Sequence, residues 1–253
     1  MPYVIKDGIR IHYQVGGRGA PLVLQHGFTR DMETLKMLGY PGYFENGYQV
    51  ILIDARGHGS SDKPHSPAAY GLEKSVGDVV AVLDELDVAR SHYLGYSMSG
   101  VVGFAMAEHA PERLRSLVIG GAHPYADDLA SFQNVDGRDP EAFVAAVEAL
   151  IGEKIAPEML PMLFENDLEA LAAAARPRPD MEAVLPKINV PCLLFAGTAD
   201  ARHDRVEACA KKIPNAKFVS IPDLDHVSCF VRADVILPPI REFFDGLAEQ
   251  GGM

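Results

Sequence analysis

Three short apolar runs, each closed at its carboxyl end by small or polar residues, constrain this chain more than any other feature. They are Pro21-Leu22-Val23-Leu24-Gln25, Val50-Ile51-Leu52-Ile53-Asp54 and Cys192-Leu193-Leu194-Phe195-Ala196. A run of this length without polar alternation suits a strand covered on both faces, and such strands belong to parallel sheets. Further strands are expected at Leu114 to Ile119 and Lys217 to Ile221. Leu72 to Leu86 has helical spacing through Val76, Val79, Val80, Leu83 and Leu86, and another helix is expected near Arg205 to Lys212. The alternation of strand and helix predicts the α/β class, a mostly parallel central sheet with helices on both faces.

The ends and one interior segment depart from that rhythm. Val4-Ile5 and Ile9 to Val15 alternate around Asp7-Gly8, which predicts an antiparallel hairpin. Gly16-Gly17-Arg18-Gly19 reads as a surface loop; a phosphate cradle would need a following helix and a Lys-Ser or Lys-Thr pair, and neither is present. The last helix is expected to begin at Pro238-Pro239, since proline is tolerated in a first turn, and to bury Ile240, Phe243, Phe244 and Leu247. Between His123 and Lys187 there is no convincing strand. Helical pieces are present instead: Glu141 to Ile151 behind Asp139-Pro140 as cap and first position, Pro157 to Phe164, and Leu168 to Arg176. The expected division is therefore a core of residues 1–122 and 188–253, interrupted by a helical insertion, 123–187. A peripheral decoration explains such an insertion as well as a functional one does, because long surface insertions cost little.

With 253 residues, 48% of them hydrophobic, the chain has enough apolar mass for one large core. Its formal charge of −12 argues against nucleic acid and anionic membranes as partners, because both would repel it. Cys192, Cys209 and Cys229 are odd in number and lack C-x-x-C spacing, which suits reduced thiols better than disulfides or a zinc site. No metal and no cofactor is expected. The opening MPYVIKDGIRIHYQ lacks a charged-then-apolar signal pattern, and no apolar run approaches the roughly 20 residues a bilayer needs. A cytoplasmic location is the expectation.

Ser91 to Ala110 reads as a strand, a very tight turn and a helix, with the change of period at Gly95-Tyr96-Ser97-Met98-Ser99-Gly100. A turn this tight strains its middle residue and requires small residues two positions to either side. Gly95 meets that need and Ser99 nearly does. Taken alone, a small-residue turn between a strand and a packed helix explains the string. It also resembles the G-x-S-x-G nucleophile elbow of the α/β-hydrolase family, with Ser99 in place of the last glycine and Gly100 directly after it.

The resemblance implies a chain order of serine, acid and histidine, the acid after a late strand and the histidine after the next. Asp200 ends the turn Gly197-Thr198-Ala199-Asp200, and His226 follows the loop Pro222-Asp223-Leu224-Asp225. The carboxyl ends of strands lie along one edge of an open parallel sheet, so Ser97, Asp200 and His226 can meet. Chemistry asks for such a meeting: a serine hydroxyl needs a base to take its proton, and the base needs a third group to hold its tautomer. His26-Gly27-Phe28 resembles the family's H-G-x oxyanion turn, which makes the Phe28 N–H one expected oxyanion donor. Met98, at the amino end of the elbow helix, would give the other. Asp54 to Ser61 resembles the family's D-x-R-G-H-G-x-S loop, whose role is structural, so His58 is not assigned to catalysis. Asp223 and Asp225 read as turn formers, too close in the chain to orient His226, and His203 as a surface or capping residue. His123, at the end of the strand after the elbow helix, is a candidate pocket-lining, substrate-binding residue. The Ser99 hydroxyl is given no role.

The implied activity is hydrolysis of a small to medium carboxylic ester or lactone through an acyl-enzyme, with the insertion as a cap over a small-molecule substrate. The same three residues also serve carbon–carbon bond hydrolysis of a ring-cleavage dienoate and cofactor-free perhydrolysis. Ser97 argues against epoxide hydrolases and haloalkane dehalogenases of this fold, which use an aspartate at the elbow, and the lack of tryptophan removes indole halide ligands. A ligand receptor on the same fold is the alternative outside enzymes; members of that kind usually lack the histidine or the acid, and this chain has both. Acyl and alcohol specificity and oligomeric state are left open.

Overall fold

The computed structural model describes residues 2–127 and 129–251. Its sheet is built from β1 (Tyr3–Lys6), β2 (Ile9–Gln25), β3 (Asn46–Ile53), β4 (Ser91–Tyr96), β5 (Leu114–Gly120), β6 (Cys192–Gly197) and β7 (Ala216–Ile221). The helices are α1 (Met32–Met37), α2 (Tyr40–Phe44), α3 (Leu72–Glu85), α4 (Met98–His109), α5 (Pro140–Ile151), α6 (Leu160–Phe164), α7 (Leu168–Ala174), α8 (His203–Ala210), α9 (His226–Val231) and α10 (Ala233–Gly251). Successive strand residues leave opposite faces of the sheet, and apolar runs therefore feed two cores at once. Val23, Ile51, Tyr93, Ile119 and Leu194 join the core under α3, α4 and α8. Their neighbours Leu22, Leu24, Leu52, Leu94, Val118 and Leu193 join the one under α1, α2 and α10. The sheet is covered on both faces, as the unalternating runs require.

β1 and β2 form the expected antiparallel hairpin around Asp7 and Gly8, both at positive φ. Gly16-Gly17-Arg18-Gly19 is not a surface loop; here β2 bends around β3. Pairing with β3 runs antiparallel from Tyr13↔Ile53 to Gly17↔Gln49, then parallel from Arg18↔Asn46 to Gln25↔Ile53. Gly17 and Gly19 permit the bend at φ +67° and +127°, where a Cβ would also strike the Glu45 carbonyl oxygen and the Gly47 backbone, each at 2.7 Å. From the second half of β2 through β4, β5, β6 and β7 all pairing is parallel. Six parallel carboxyl ends, counting β3, thus lie along one edge.

The final helix starts at Ala233, five residues before the expected Pro238, and holds both prolines in its interior. Two backbone donors are missing there. Burial of Ile236, Leu237, Ile240, Phe243 and Phe244 along one side holds the helix across the gap. Between β5 and β6 the helices α5, α6 and α7 appear where helical spacing placed them. Asp139 caps α5, accepting from the N–H groups of Glu141 and Ala142, with Pro140 in the first position, and Asp167 caps α7. A small core of its own, with Phe132, Phe143, Val147, Leu163 and Leu171, closes this segment, and Phe28 packs against it. Among the described residues no helix is long and apolar enough to cross a membrane.

Candidate active site

Ser97 stands between the last residue of β4 and the first of α4, with φ 54° and ψ −112°. A non-glycine residue held there stores strain of roughly 1–3 kcal/mol, which the surrounding contacts must hold in place. Its N–H donates to the Gly120 carbonyl at 2.8 Å, and the Tyr93 hydroxyl donates to Gln25 Oε1 at 2.7 Å and to the Ser99 carbonyl at 2.9 Å. Gly95 lies so close beneath that a Cβ on it would sit 2.6 Å from the Ser99 carbonyl carbon. That is the crowding that asks for a small residue before the serine.

The carboxyl edge brings the three chain-distant groups into one line. Ser97 Oγ–H donates to His226 Nε2 at 2.9 Å, and His226 Nδ1–H donates to Asp200 Oδ2 at 2.7 Å. This arrangement requires the imidazole tautomer protonated at Nδ1, leaving Nε2 free to take a proton. The other oxygen of Asp200 accepts from the Arg202 N–H at 2.9 Å, with the Arg202 guanidinium at 3.5 Å. Burial opposes charge on Asp200, but the His226 hydrogen bond and charge, together with Arg202, outweigh it and hold the carboxyl below its ordinary value. Tyr96, beside Ser97 in sequence, lies against the His226 ring at 5.2 Å and donates its hydroxyl to the His226 carbonyl at 2.6 Å. Its part was not legible in the sequence, where it stands only as the residue before Ser97 at the change of period.

The two expected oxyanion donors flank the serine. Met98 is the first residue of α4, so its N–H has no partner within the helix and sits at the positive end of its dipole. The Phe28 N–H donates to no group among the described residues. Gly27 brings that turn against the elbow: a Cβ on it would stand 3.6 Å from Ser97 Cβ. Ser99 is more engaged than the sequence implied. It is fully buried, and its hydroxyl donates to the His26 carbonyl, joining the elbow helix to the His26-Gly27-Phe28 turn.

The remaining candidates take other places. Asp225 caps α9, accepting from the Ser228 N–H at 2.6 Å while Ser228 Oγ accepts from the Asp225 N–H at 2.9 Å; it does not reach the His226 ring. Asp223 sits at φ 59°, its N–H held by Thr198 Oγ1. His203 begins α8 and pairs with Ser220 Oγ at 2.7 Å. His58 is completely buried, and burial, with His26 beside it, pushes its pKa down to about 3. His123 lines the same cavity as Ser97, a space of about 810 Å³ that Phe28, Met98 and His226 also border. Burial and the charges of Arg178, Arg205 and Arg202 lower its pKa to about 4, so the ring facing that space is neutral. Among the described residues no cluster of three or more His, Cys, Asp or Glu side chains is arranged to hold a metal.

A serine on a strained strand-to-helix turn, bonded to a histidine that a carboxylate holds, at the carboxyl edge of a parallel sheet, is the arrangement that defines α/β hydrolases. Residues 20–153, more than half of the chain, match the family model described as the alpha/beta hydrolase fold, and the chain belongs to that family. It is 30% identical to 3-oxoadipate enol-lactonase 2 of Acinetobacter baylyi over 177 residues, which span 62% of this chain and 64% of that protein. Its fold is similar to the enol-lactonase from Burkholderia xenovorans LB400, with a TM-score of 0.82 at 25% identity over 96% of this chain and 100% of the other. It is equally similar to an esterase from Thermogutta terrifontis solved with malate bound, with a TM-score of 0.83 at 25% identity over 97% and 98% of the two chains.

Proposed function

We infer that this protein hydrolyses a small to medium carboxylic ester or lactone through an acyl-enzyme. The observation that carries the reading is the unbroken hydrogen-bond line from Asp200 through His226 to Ser97, opening on a cavity beside two free backbone N–H groups. Ser97 Oγ attacks the carbonyl carbon as His226 Nε2 takes its proton, and Asp200 stabilises the imidazolium that forms. The oxyanion is received by the N–H groups of Phe28 and Met98. His226 then gives its proton to the departing alkoxide, leaving the acyl group on Ser97. Water attacks the acyl carbon, His226 takes a proton from that water and returns one to Ser97, and a carboxylic acid leaves. In a lactone, acid and alcohol leave as one molecule.

Residues 123–187 act in this reading as a cap over the cavity, with residues 1–122 and 188–253 as the catalytic core, and His123 lines the substrate's path. The names of the relatives, enol-lactonase and esterase, favour the ester or lactone over a carbon–carbon bond. Three buried, unpaired thiols, Cys192, Cys209 and Cys229, suit a reducing compartment such as the cytoplasm. The test is turnover of p-nitrophenyl esters of increasing chain length, alongside lactones and a ring-cleavage dienoate, with fluorophosphonate labelling of Ser97. Labelling with ester turnover supports the reading. Turnover of the dienoate alone would replace it with carbon–carbon hydrolysis, and binding without turnover of any of them would replace it with a receptor.

A further inference from the structure

Arg30 lies two residues beyond Phe28 and lines the same cavity as Ser97 and His226. Its guanidinium donates one hydrogen bond, from Nη1 to the Met162 sulfur at 3.0 Å, and a thioether is a weak acceptor. No carboxylate among the described residues pairs with it. Asp31, the nearest acid in sequence, is committed elsewhere: it caps α1, accepting from the N–H and hydroxyl of Thr34, both at 2.9 Å. Arg56, Arg178 and Arg202 also line the cavity, but each has a carboxylate partner, Asp78 at 2.6 Å, Asp127 at 2.7 Å and Asp200 at 3.5 Å, while Arg176, which lines it too, is exposed to solvent. The unpartnered N–H groups of Arg30 are not sealed within protein, and the residue lines the cavity. Burial pulls its pKa down, against the pull of Asp31. A part-buried cation without a counter-ion, in a chain with 12 excess negative charges, is a poor structural strut and a good fork for a planar anion.

We propose that Arg30 receives a carboxylate of the substrate, so that the site takes esters or lactones bearing a free carboxylate remote from the bond that is cleaved. The proposal rests on the reading of the site as an ester or lactone hydrolase. Two residues of backbone from Phe28 are at most about 7 Å, to which the Arg30 side chain adds its own reach, so the anion and the carbonyl that Ser97 attacks fall within one small substrate.

The measurement is the ratio of kcat/KM for mono-p-nitrophenyl glutarate to that for p-nitrophenyl butyrate, in the wild type, Arg30→Gln and Arg30→Lys. Arg30→Gln should lower the ratio on the order of 30-fold, through the KM of the glutarate ester, and Arg30→Lys should restore part of it as a point charge without the fork. An unchanged ratio in Arg30→Gln overturns the proposal. A second arm needs no turnover: calorimetric binding of glutarate to Ser97→Ala, which adding Arg30→Gln should weaken at least about tenfold. Arg30-dependent glutarate binding without any ester turnover would sink the hydrolase reading and keep the anion site. Ester turnover with an unchanged ratio and no glutarate binding would do the reverse.

Discussion

The chain contains two buried histidine–aspartate pairs of nearly equal geometry, His226 with Asp200 at 2.7 Å and His12 with Asp54 at 2.8 Å, each through imidazole Nδ1. All four side chains are less than a tenth exposed. They differ at the second ring nitrogen and in what else the acid holds. His226 Nε2 receives the Ser97 hydroxyl beside an open cavity, whereas His12 Nε2 is buried and has no partner among the described residues. Asp54 also accepts from the N–H groups of Met32 and Ser60, both at 2.9 Å, so it fastens β2, α1 and the 54–61 loop together. Among the described residues the Asp200 carboxylate accepts, besides His226, only from its near neighbour Arg202. A histidine–carboxylate pair is thus a staple in one place and, in the proposed reaction, the start of a proton path in the other. The difference is a serine hydroxyl and an open cavity.

That comparison breaks most sharply at its third member. Ser97→Ala should lower ester turnover on the order of 10³-fold or more and abolish fluorophosphonate labelling, while the thermal midpoint stays within a few degrees of wild type. Labelling that persisted, or moved to Ser99, would remove Ser97 from the chemistry. The two acids come next. Asp200→Asn should cost kcat on the order of 10³- to 10⁴-fold by favouring the wrong imidazole tautomer, with little loss of fold. Asp54→Asn should do the opposite: it leaves part of a three-donor buried site unsatisfied, costs about 3 kcal/mol in a urea titration, and leaves most activity per folded molecule. If Asp54→Asn silenced a folded enzyme as thoroughly as Asp200→Asn does, the distinction between staple and proton path would fail.

Acid should separate Asp200 from three histidine rings that burial keeps neutral. Burial first, then neighbouring cations or His26, lowers the pKa of His58 to about 3 and of His92 and His123 to about 4, from an unfolded value of 6.5. Between those values the unfolded chain binds protons that the folded protein refuses. Stability therefore falls as pH drops from 6.5 toward 4, by up to about 1.4 kcal/mol per pH unit for each histidine. Asp200 has its pKa lowered, so its contribution is complete above the unfolded carboxylate value and is lost only further down. Urea titrations at pH 7 and pH 5 check this. Equal midpoints would contradict it, and His92→Gln should flatten the slope.

What was legible in the sequence is what depends on short stretches of chain. Leu22 to Leu24 and Leu193 to Phe195 read as strands because both of their faces are buried, and Ser97, Asp200 and His226 stood out because each follows the carboxyl end of a strand closely. Gly16 to Gly19 misled because glycine suits a loop and a sharp strand bend alike, and only pairing with β3, some 30 residues on, distinguishes them. Pro238 misled because proline favours a helix start, while burial of Ile236 and Leu237 extends the helix before it. The contacts of Tyr96 with His226 and of Ser99 with His26 join elements whose packing no local pattern encodes.

Ser99 is the smallest of these effects and the one that most refines the site. Read from sequence, it is a tolerated stand-in for glycine; in the fold its hydroxyl ties α4 to the turn that carries Phe28, so one hydrogen bond spans the two expected oxyanion donors. Ser99→Ala removes the donor and leaves the buried His26 carbonyl short of a partner, which should cost about 1–2 kcal/mol. Ser99→Gly adds backbone freedom in the first turn of a helix and should cost up to about 1 kcal/mol more. Neither change touches the line from Asp200 to Ser97. The loss of activity should therefore be several-fold in kcat with KM nearly constant, as expected when two donors drift slightly apart around an oxyanion that exists only in the transition state. Equal kcat and equal stability in wild type and Ser99→Ala would make the contact incidental. A loss as large as that of Ser97→Ala, in a protein still folded by circular dichroism, would make Ser99 part of the chemistry instead.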